Sequence, residues 1–184
     1  MKTVIGFNGS PRPLGNTGRL VKAVLSGAEA AGAKTRYVHL AALKFGDCTA
    51  CMACRKQPAC VLPDDMSKAL QDIFHADAIV LGSPVYMWQV TGLAKLFMDR
   101  LYPVLNPDYT TRLARKPKLV LAFTQGHPDA AFFKPYFEQT KAVLGFLGFT
   151  VTDIVSAVGT RASDDVEKQT EALELARAAG ARLV

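Results

Sequence analysis

Five short apolar, β-branched runs, separated by longer segments of helical period, constrain the fold of this chain more than any other feature. The candidate strands are Thr3–Asn8, Thr35–Leu40, Ala78–Gly82, Leu119–Thr124 and Thr150–Val158. Between them, apolar residues recur at the spacing of one helical face. Strict alternation of strand and helix predicts a parallel sheet with right-handed crossovers and helices on both faces. The simplest such fold is an α/β three-layer sandwich around a five-stranded sheet of order 2-1-3-4-5.

Glycines and short polar residues predict where the helices end and begin. Gly32 and Gly148 stand just beyond two helical segments, where a left-handed cap favours glycine. Asp64 and Ser163 are the expected N-caps of two others. With 184 residues, 49% of them hydrophobic, the chain can bury one core, so a single domain is expected over residues 1–184.

Composition argues against several classes of protein. No stretch approaches the roughly 18 apolar residues of a membrane span, and the N-terminus runs directly into a candidate strand instead of a leader. We therefore expect a cytoplasmic protein that does not enter membranes. The net charge of +6 comes from scattered basic residues, and no nucleic-acid-reading module accompanies them. The charge suits phosphate-bearing cofactors, and a solvated basic surface fits it equally well.

The segment after the first strand is typical of a phosphate-binding loop. The chain reads Ser10-Pro-Arg-Pro-Leu-Gly-Asn-Thr17 before an apolar-faced helix begins. The free amides and the positive dipole end of that helix can bind a phosphate. Side chains that would add hydrogen bonds or charge are Ser10, Arg12, Asn16 and Thr17. An ordinary turn capped by Asn16 or Thr17 has the same pattern. Neither the dinucleotide fingerprint nor the Walker lysine is present, which favours a mononucleotide.

Two further loops open at the same edge of the predicted sheet. In open parallel sheets, ligands bind beyond the carboxyl ends of the strands near the switch point, here between strands one and three. Strand three leads into Ser83-Pro-Val-Tyr-Met-Trp88, and strand four leads into Thr124-Gln-Gly-His127. This convergence favours a ligand site over a plain helix cap.

Three motifs together resemble the NADPH-dependent FMN reductase family of the flavodoxin-like fold: Ser10 to Thr17, Gly82-Ser-Pro-Val-Tyr86 and Lys95-Leu-Phe-Met-Asp-Arg100. The resemblance extends over nearly the whole chain. It implies that the FMN phosphate is held by Ser10, Arg12, Asn16 and Thr17. It also implies that the isoalloxazine ring lies against Pro84, Val85, Tyr86, Met87 and Trp88. The loop from Thr124 to Gly126 would close on the pyrimidine side of the ring.

The same resemblance implies an oxidoreductase in which the flavin, and no side chain, carries the chemistry. NAD(P)H or reduced ferredoxin would donate electrons, and a quinone, a flavin or another small molecule would accept them. A non-enzymatic electron carrier and a cysteine-based redox sensor are the alternatives. The basic charge argues against the carrier, because flavodoxin-like carriers are typically acidic.

The sequence allows more than one role for several residues near these loops. Tyr86 and Trp88 could be core aromatics instead of flavin contacts. His127 could bind the flavin pyrimidine or simply be exposed. Asp99 and Arg100 are interpreted as structural or interfacial, since adjacent helix residues do not face each other.

All four cysteines lie in one connection of little regular period, at about residues 42–63. They are Cys48, Cys51, Cys54 and Cys60, with the spacing C-x2-C-x2-C-x5-C. Such clustering predicts a local metal site in a reducing compartment and not a secreted disulfide framework. The first three match the bacterial ferredoxin run, so one [4Fe-4S] cluster is the most that four cysteines can build. The alternatives are a structural zinc ion, or free or disulfide-forming thiols without a metal.

Spacing and fold together resemble the iron-sulfur flavoprotein subgroup of the same family. That resemblance implies a cluster that exchanges electrons with FMN, within a subunit or across a dimer. Met52 and Ala53 depart from the pattern, since glycine is expected there. A homodimer or homotetramer is expected, and the segment Leu101–Pro117 is interpreted as a cover for the flavin edge, a dimer contact or an exposed loop.

Overall fold

A six-stranded sheet forms the centre of the computed structural model, which describes residues 1–184. In chain order the strands are β1 (Thr3–Asn8), β2 (Lys34–His39), β3 (Ala78–Tyr86), β4 (Gln89–Val90), β5 (Lys118–Thr124) and β6 (Thr150–Ala157). All except β4 lie parallel, in the order β2-β1-β3-β5-β6. The short β4 pairs antiparallel with the end of β3. The predicted order 2-1-3-4-5 of the parallel strands is therefore confirmed. The short β4 lies outside the parallel sheet, so β5 and β6 are the fourth and fifth parallel strands.

β3 differs most from its prediction, which ended at Gly82. Pro84 has no N–H, a feature that usually ends a strand, yet β3 continues to Tyr86. Pro84 stands opposite Thr124 of β5, and the last two residues of β3 pair with β4. The other strand boundaries differ from the predicted ones by one residue at most.

Helices cover both faces of the sheet, as the alternation of strand and helix predicts. They are α1 (Asn16–Ala30), α2 (Met66–His75), α3 (Gly92–Asp99), α4 (Lys134–Phe146) and α5 (Thr170–Ala181). α1 and α5 pack on one face through a core that includes Leu20 and Ala176. The other three helices pack on the opposite face through a core that includes Phe97 and Phe137. None of the helices has both the length and the apolar character needed to cross a membrane.

Two of the four predicted helix-end residues lie where the sequence placed them, and a third, Asp64, lies one residue before the N-cap of α2, which is Asp65. Gly32 and Gly148 have φ of +92° and +103°, the left-handed conformation that favours glycine after a helix. Asp64 lies at the start of α2, where its Oδ1 accepts a hydrogen bond of 3.1 Å from the Met66 N–H. Local polar and glycine signals therefore predicted these boundaries.

The N-cap predicted at Ser163 is wrong, because α5 begins only at Thr170. A short 3-10 turn that begins at Asp165 comes first. The Asp165 carboxylate accepts hydrogen bonds from the N–H groups of Arg161 and Ala162, at 2.8 and 2.7 Å. Asp165 therefore orders this connection. Ser163 and Asp165, two residues apart, are both residue types that cap helices, and the sequence alone did not distinguish between them.

The connection from β2 to α2 is the long cysteine-containing insertion that the sequence predicts. It contains two 3-10 turns, Leu40–Ala42 and Ala53–Arg55, and neither an α-helix nor a strand. It starts at the carboxyl end of β2, beside the end of β1. The cysteines therefore follow a strand end at the edge of the sheet where the phosphate loop also begins.

Candidate functional site

The first turn of α1 presents free backbone donors at the carboxyl end of β1. No carbonyl or side chain accepts a hydrogen bond from the N–H groups of Asn16, Thr17 and Gly18. The turn contains no acidic residue, and Gly15 at its N-cap offers no side chain. Unsatisfied amides at the positive end of a helix dipole favour an anion, and a phosphate in particular.

The three predicted loops, together with the loop after β6, line one cavity of about 130 Å³ beside these donors. The residues around it are Ser10, Arg12, Gly15, Asn16, Thr17, Pro84, Val85, Tyr86, Thr124, Gly126, Thr160 and Arg161. They include every cofactor-binding residue implied by the family resemblance except Met87 and Trp88. The chain thus brings residues from four strand ends to one place.

Met87 and Trp88 form the turn between β3 and β4 and do not line the cavity. Their φ angles are 45° and 66°, as a two-residue hairpin turn requires. The turn leaves them 85% and 64% exposed. Tyr86 lines the cavity and is itself 45% exposed, so the alternative of core aromatics is wrong for both Tyr86 and Trp88.

Asn16 uses its side chain within the protein. Its Nδ2 donates to the Ala162 carbonyl at 2.6 Å, and its Oδ1 accepts from the Val166 N–H at 2.9 Å. Nδ2 retains a second N–H, and Asn16 lines the cavity, so its side chain keeps one donor for an anion there. Asn16 can also contribute its backbone N–H.

Thr17 and Thr124 join the phosphate loop to the end of β5. Their hydroxyl oxygens lie 2.7 Å apart, and the residues are 1% and 2% exposed. One hydroxyl donates to the other, which leaves a single O–H for an anion in the cavity. This contact fixes the spacing between two of the predicted loops.

Thr160 and Arg161 are lining residues that the sequence interpretation missed. Thr160 is tied to the predicted loop after β5, since its N–H and hydroxyl both donate to the Gln125 carbonyl, at 2.9 and 3.1 Å. Both residues follow the carboxyl end of β6, so the strand-end rule that identified the other loops would have found them. His127, by contrast, does not line the cavity; its ring stacks on Phe132 with centroids 4.0 Å apart.

Side chains from β1 and β2 hold the phosphate loop from behind. The Ser10 N–H donates to Asn8 Oδ1 at 3.0 Å, and Asn8 Nδ2 donates to the Tyr37 hydroxyl at 2.8 Å. The Ser10 carbonyl lies 2.8 Å from His39 Nε2. Burial raises the pKa of the Tyr37 phenol, more than the hydrogen bond from Asn8 lowers it. Tyr37 therefore stays a neutral partner in this network.

The four cysteines form no disulfide with one another and line a second, larger cavity of about 570 Å³. Cys48 and Cys51 are exposed, whereas Cys54 and Cys60 are half-buried. Burial raises the pKa of the Cys54 thiol, and repulsion from the other three cysteines raises it further. A hydrogen bond from the Ala53 N–H lowers the pKa of the Cys51 thiol. The thiols are thus near enough to influence one another electrostatically.

The cysteine cavity presents four thiols, those of Cys48, Cys51, Cys54 and Cys60. No three His, Cys, Asp or Glu side chains converge as the ligands of a metal ion do. Zinc holds its thiolates about 2.3 Å from one point, and the four thiols do not converge in that way. A [4Fe-4S] cluster takes one cysteine for each iron, so the cavity contains the number of thiols that one cluster requires.

Met52 adopts a backbone conformation that explains why glycine is expected at this position. Its φ is 59°, in the left-handed region. Only glycine adopts that region without steric cost. Ala50 has a φ of 51° as well. Glycine at position 52 would therefore relax this turn.

Arg100 connects the cysteine loop to the end of α3. Although it is charged, it is only 1% exposed. Nη1 donates to the Gly46 carbonyl at 2.8 Å and to Asp64 Oδ2 at 2.7 Å, while Nη2 donates to Asp64 Oδ1 at 2.9 Å and to Cys60 Sγ at 3.3 Å. Asp99 points elsewhere and pairs with Lys95 at the surface. Arg100 is therefore structural, as the sequence interpretation held.

The segment Leu101–Pro117 packs against the cysteine loop. Arg112 donates to the Cys54 carbonyl at 2.8 Å. In return, the Arg55 guanidinium donates to the Asn106 carbonyl at 2.9 Å and lies 4.6 Å from the Tyr109 ring centroid. No residue of the segment lines the smaller cavity. Arg55 and Arg112, together with Tyr102 and Tyr109, thus hold the segment against the cysteine loop.

The pair of Asp64 and Arg100 makes stability depend on pH. Hydrogen bonds from Arg100 hold the pKa of the Asp64 carboxyl below its usual range. A lowered folded-state pKa stabilises the protein above the unfolded value, and this contribution disappears as pH falls through the folded value. We expect Asp64→Asn to lower the free energy of unfolding by about 3 kcal/mol at pH 7, since breaking a buried pair leaves Arg100 uncompensated.

Urea unfolding of both proteins between pH 7 and pH 2 checks this prediction. The difference between them should shrink once the pH falls below about 4. Asp99→Asn is the control, because its exposed pair with Lys95 contributes at most about 0.5 kcal/mol. A difference that stays constant down to pH 2 would contradict the assignment.

Comparison with known proteins finds a family model and curated relatives that match large parts of the chain. Residues 2–160 match the family model of the NADPH-dependent FMN reductases. The chain is 40% identical over 101 residues to an iron-sulfur flavoprotein of Methanocaldococcus jannaschii, covering 55% of this chain and 52% of the relative. It is 35% identical over 97 residues to an iron-sulfur flavoprotein of Methanosarcina thermophila, covering 53% and 51%. The chain thus spans about half the length of the curated relatives it matches.

Solved structures share the fold. An FMN-dependent NADH-azoreductase from Bacillus anthracis superposes with a TM-score of 0.73 at 16% identity, covering 99% of both chains. An NAD(P)H:quinone oxidoreductase from Methanothermobacter marburgensis gives 0.72 at 20% identity, covering 98% of this chain and 95% of the other. The fold is therefore flavodoxin-like, as predicted. Because the family model extends over most of the sequence, the chain belongs to the NADPH-dependent FMN reductase family.

Proposed function

We propose that this chain is an FMN-dependent oxidoreductase that passes electrons from NAD(P)H or ferredoxin to a quinone, a flavin or another small acceptor. The observation that carries the proposal is the set of free amides at the start of α1, which faces a cavity lined by four strand-end loops. An anionic mononucleotide satisfies those donors. The family to which the chain belongs supports FMN as that mononucleotide.

The chain's own residues would bind and orient the cofactor. The amides of Asn16, Thr17 and Gly18 would hold the phosphate, with Ser10 beside them. Arg12 and Arg161 line the cavity and would offset the phosphate charge. Residues 84–86 would support the ring at the end of β3, and Thr124 to Gly126 would lie on its pyrimidine side. Bound FMN supplies hydride and single-electron transfer, so no side chain need act as a catalytic acid or nucleophile.

We further propose that Cys48, Cys51, Cys54 and Cys60 hold a [4Fe-4S] cluster. Their placement around one cavity supports this, and so do the relatives named iron-sulfur flavoproteins. The bound cluster would supply single-electron transfer. Arg55 and Arg112 lie beside the loop and would partly offset the negative charge of a thiolate-ligated cluster. A homodimer or homotetramer in the cytoplasm completes the proposal.

Anaerobic purification followed by flavin, iron and sulfide assays tests both proposals. The expected result is one FMN and about four irons per chain, with oxidation of NADH or NADPH when an acceptor is present. Absence of FMN after reconstitution would overturn the main proposal, whereas FMN without iron would overturn only the cluster. If neither nicotinamide is oxidised but ferredoxin exchanges electrons with the flavin, the electron-carrier alternative is correct.

Replacing Cys51 and Cys54 together with serine should remove most of the iron and leave the FMN content unchanged. The two cavities share no lining residue, so losing a cluster should not reach the phosphate donors. Met52→Gly is the matched control, since it changes the same loop, relieves a positive φ and should keep the iron. Equal iron in the double variant and in the control would show that these cysteines are not ligands.

A further inference from the structure

Cys60 stands apart from the other three cysteines along the chain. Cys48, Cys51 and Cys54 follow one another at intervals of three residues, while five residues that include Pro58 separate Cys54 from Cys60. Local turn geometry can therefore place the first three together but cannot by itself place the fourth. The structure supplies a contact from outside the loop, because Arg100 Nη2 donates to Cys60 Sγ at 3.3 Å.

We propose that Arg100 is a positioning residue that fixes Cys60 as the fourth cluster ligand and, through its N–H···S hydrogen bond, sets the reduction potential of the cluster. This inference rests on the proposed function, since it requires a cluster in the cysteine cavity. Arg100 lines that cavity and is almost completely buried, so it contacts the loop without competition from solvent.

Asp64 gives the guanidinium a single orientation. Both of its carboxylate oxygens accept hydrogen bonds from Arg100, one from each terminal nitrogen, at 2.7 and 2.9 Å. This two-bond geometry requires the planar fork of arginine, which lysine lacks. The same two nitrogens retain one N–H each for the Gly46 carbonyl and Cys60 Sγ. Asp64 thus orients Arg100, and Arg100 ties both ends of the cysteine loop together.

The hydrogen bond from Arg100 has a defined effect on electron transfer. Reduction adds one negative charge to a thiolate-ligated cluster, and a positively charged donor beside a ligand sulfur stabilises that charge. Hydrogen bonds to the sulfurs and the net charge are among the factors that set cluster potentials. Arg100 should therefore raise the potential, and its loss should make the cluster harder to reduce.

Arg100→Lys tests the inference, because it keeps the positive charge and removes the fork. We expect about a tenfold fall in the equilibrium constant for one-electron reduction, which is a decrease of about 59 mV in midpoint potential. Anaerobic redox titration followed by electron paramagnetic resonance measures it. Arg115→Lys is the control: it also replaces an arginine that pairs with an aspartate, but that pair with Asp77 is at the surface and Arg115 does not line the cysteine cavity. Its potential should stay that of the wild type.

Asp64→Glu keeps the test valid if Arg100→Lys does not fold. It keeps the negative charge but displaces the carboxylate from the arginine fork, so the potential should fall in the same direction by a smaller amount. An unchanged potential in whichever of the two variants folds, with iron bound, would overturn the role of Arg100 and leave the cluster proposal intact. A wild-type protein without iron would overturn both, and the separate FMN assay would show whether the flavin proposal survives.

Discussion

Replacing Ser10 with aspartate is expected to abolish FMN binding without destabilising the fold. Ser10 lines the smaller cavity, is 3% exposed and lies beside the free amides of α1. A carboxylate there would accept hydrogen bonds from those amides and interact favourably with the helix dipole, worth about 0.3–1 kcal/mol. Its oxygen could also accept the Arg12 N–H bond that Ser10 Oγ accepts at 3.1 Å. The apo-protein should therefore be as stable as the wild type or slightly more stable.

The same carboxylate would repel the FMN phosphate. Two unit charges about 4 Å apart interact by about 4 kcal/mol at the dielectric constant typical near a protein surface. Part of that repulsion is screened, so we expect the Kd for FMN to rise by at least about 100-fold, or about 2.7 kcal/mol. Quenching of flavin fluorescence measures the Kd, and thermal unfolding of the apo-protein measures stability.

Ser10→Asn is the matched control for this prediction, since asparagine has the shape of aspartate without its charge. It should bind FMN within about tenfold of the wild type, which amounts to about 1.4 kcal/mol. If the aspartate and asparagine variants bound FMN equally well, the phosphate would have to lie away from the amides of α1. Ser10→Asp should keep or raise the stability of the apo-protein while it lowers the affinity for FMN, and this combination is expected only if an anion site is present.

The fold could be predicted because its signals are local. Each strand is a contiguous apolar run, and the glycines that end α1 and α4 follow directly in the sequence. β3 was predicted too short because Pro84 normally ends a strand. What extends β3 is a hairpin with β4 and a neighbour in β5, and such pairing depends on tertiary structure instead of on local preference.

The part of the candidate site that comes from one continuous segment could also be predicted from the sequence. Ser10 to Thr17 form one continuous segment, so their joint placement follows from strand, turn and helix. By contrast, Asn16 and Val166 are 150 residues apart, and nothing in either segment indicates that the asparagine side chain is used there. Arg100 likewise is a charged residue of a type that usually lies at the surface, but it is buried against Cys60 and Asp64. Contacts of this kind depend on the packed fold, which periodicity does not encode.

β2 supports both cavities, and this was not visible in the sequence. Its Tyr37 hydroxyl accepts from Asn8 behind the phosphate loop, and His39 lies against the Ser10 carbonyl. The cysteine loop begins just after β2 ends. A displacement of β2 would therefore disturb both the phosphate donors and the start of the cysteine loop. The same strand fixes how the two candidate centres are placed relative to each other.

Gly180→Ala is expected to lower stability strongly, through the contact between α1 and α5. A Cβ at position 180 would lie 1.9 Å from the Val24 carbonyl oxygen, and one at Gly27 would lie 1.9 Å from the Arg177 carbonyl oxygen. Both obstacles are backbone atoms, which cannot rotate away. The two helices would have to separate, and overpacking of this kind costs about 1–3 kcal/mol and sometimes more. We therefore expect the free energy of unfolding to fall by about 3 kcal/mol.

Gly145→Ala in α4 is the matched control, since nothing lies within 4 Å of the added methyl group. Alanine is the better helix former, so this variant should be more stable than the wild type by about 0.5–1 kcal/mol. Urea unfolding compares the two variants, and equal effects would contradict the close helix contact. Because α1 also carries the phosphate donors, a shift of α1 should weaken FMN binding in Gly180→Ala and not in Gly145→Ala. Loss of stability with an unchanged Kd would show that α1 keeps its position and that α5 moves instead.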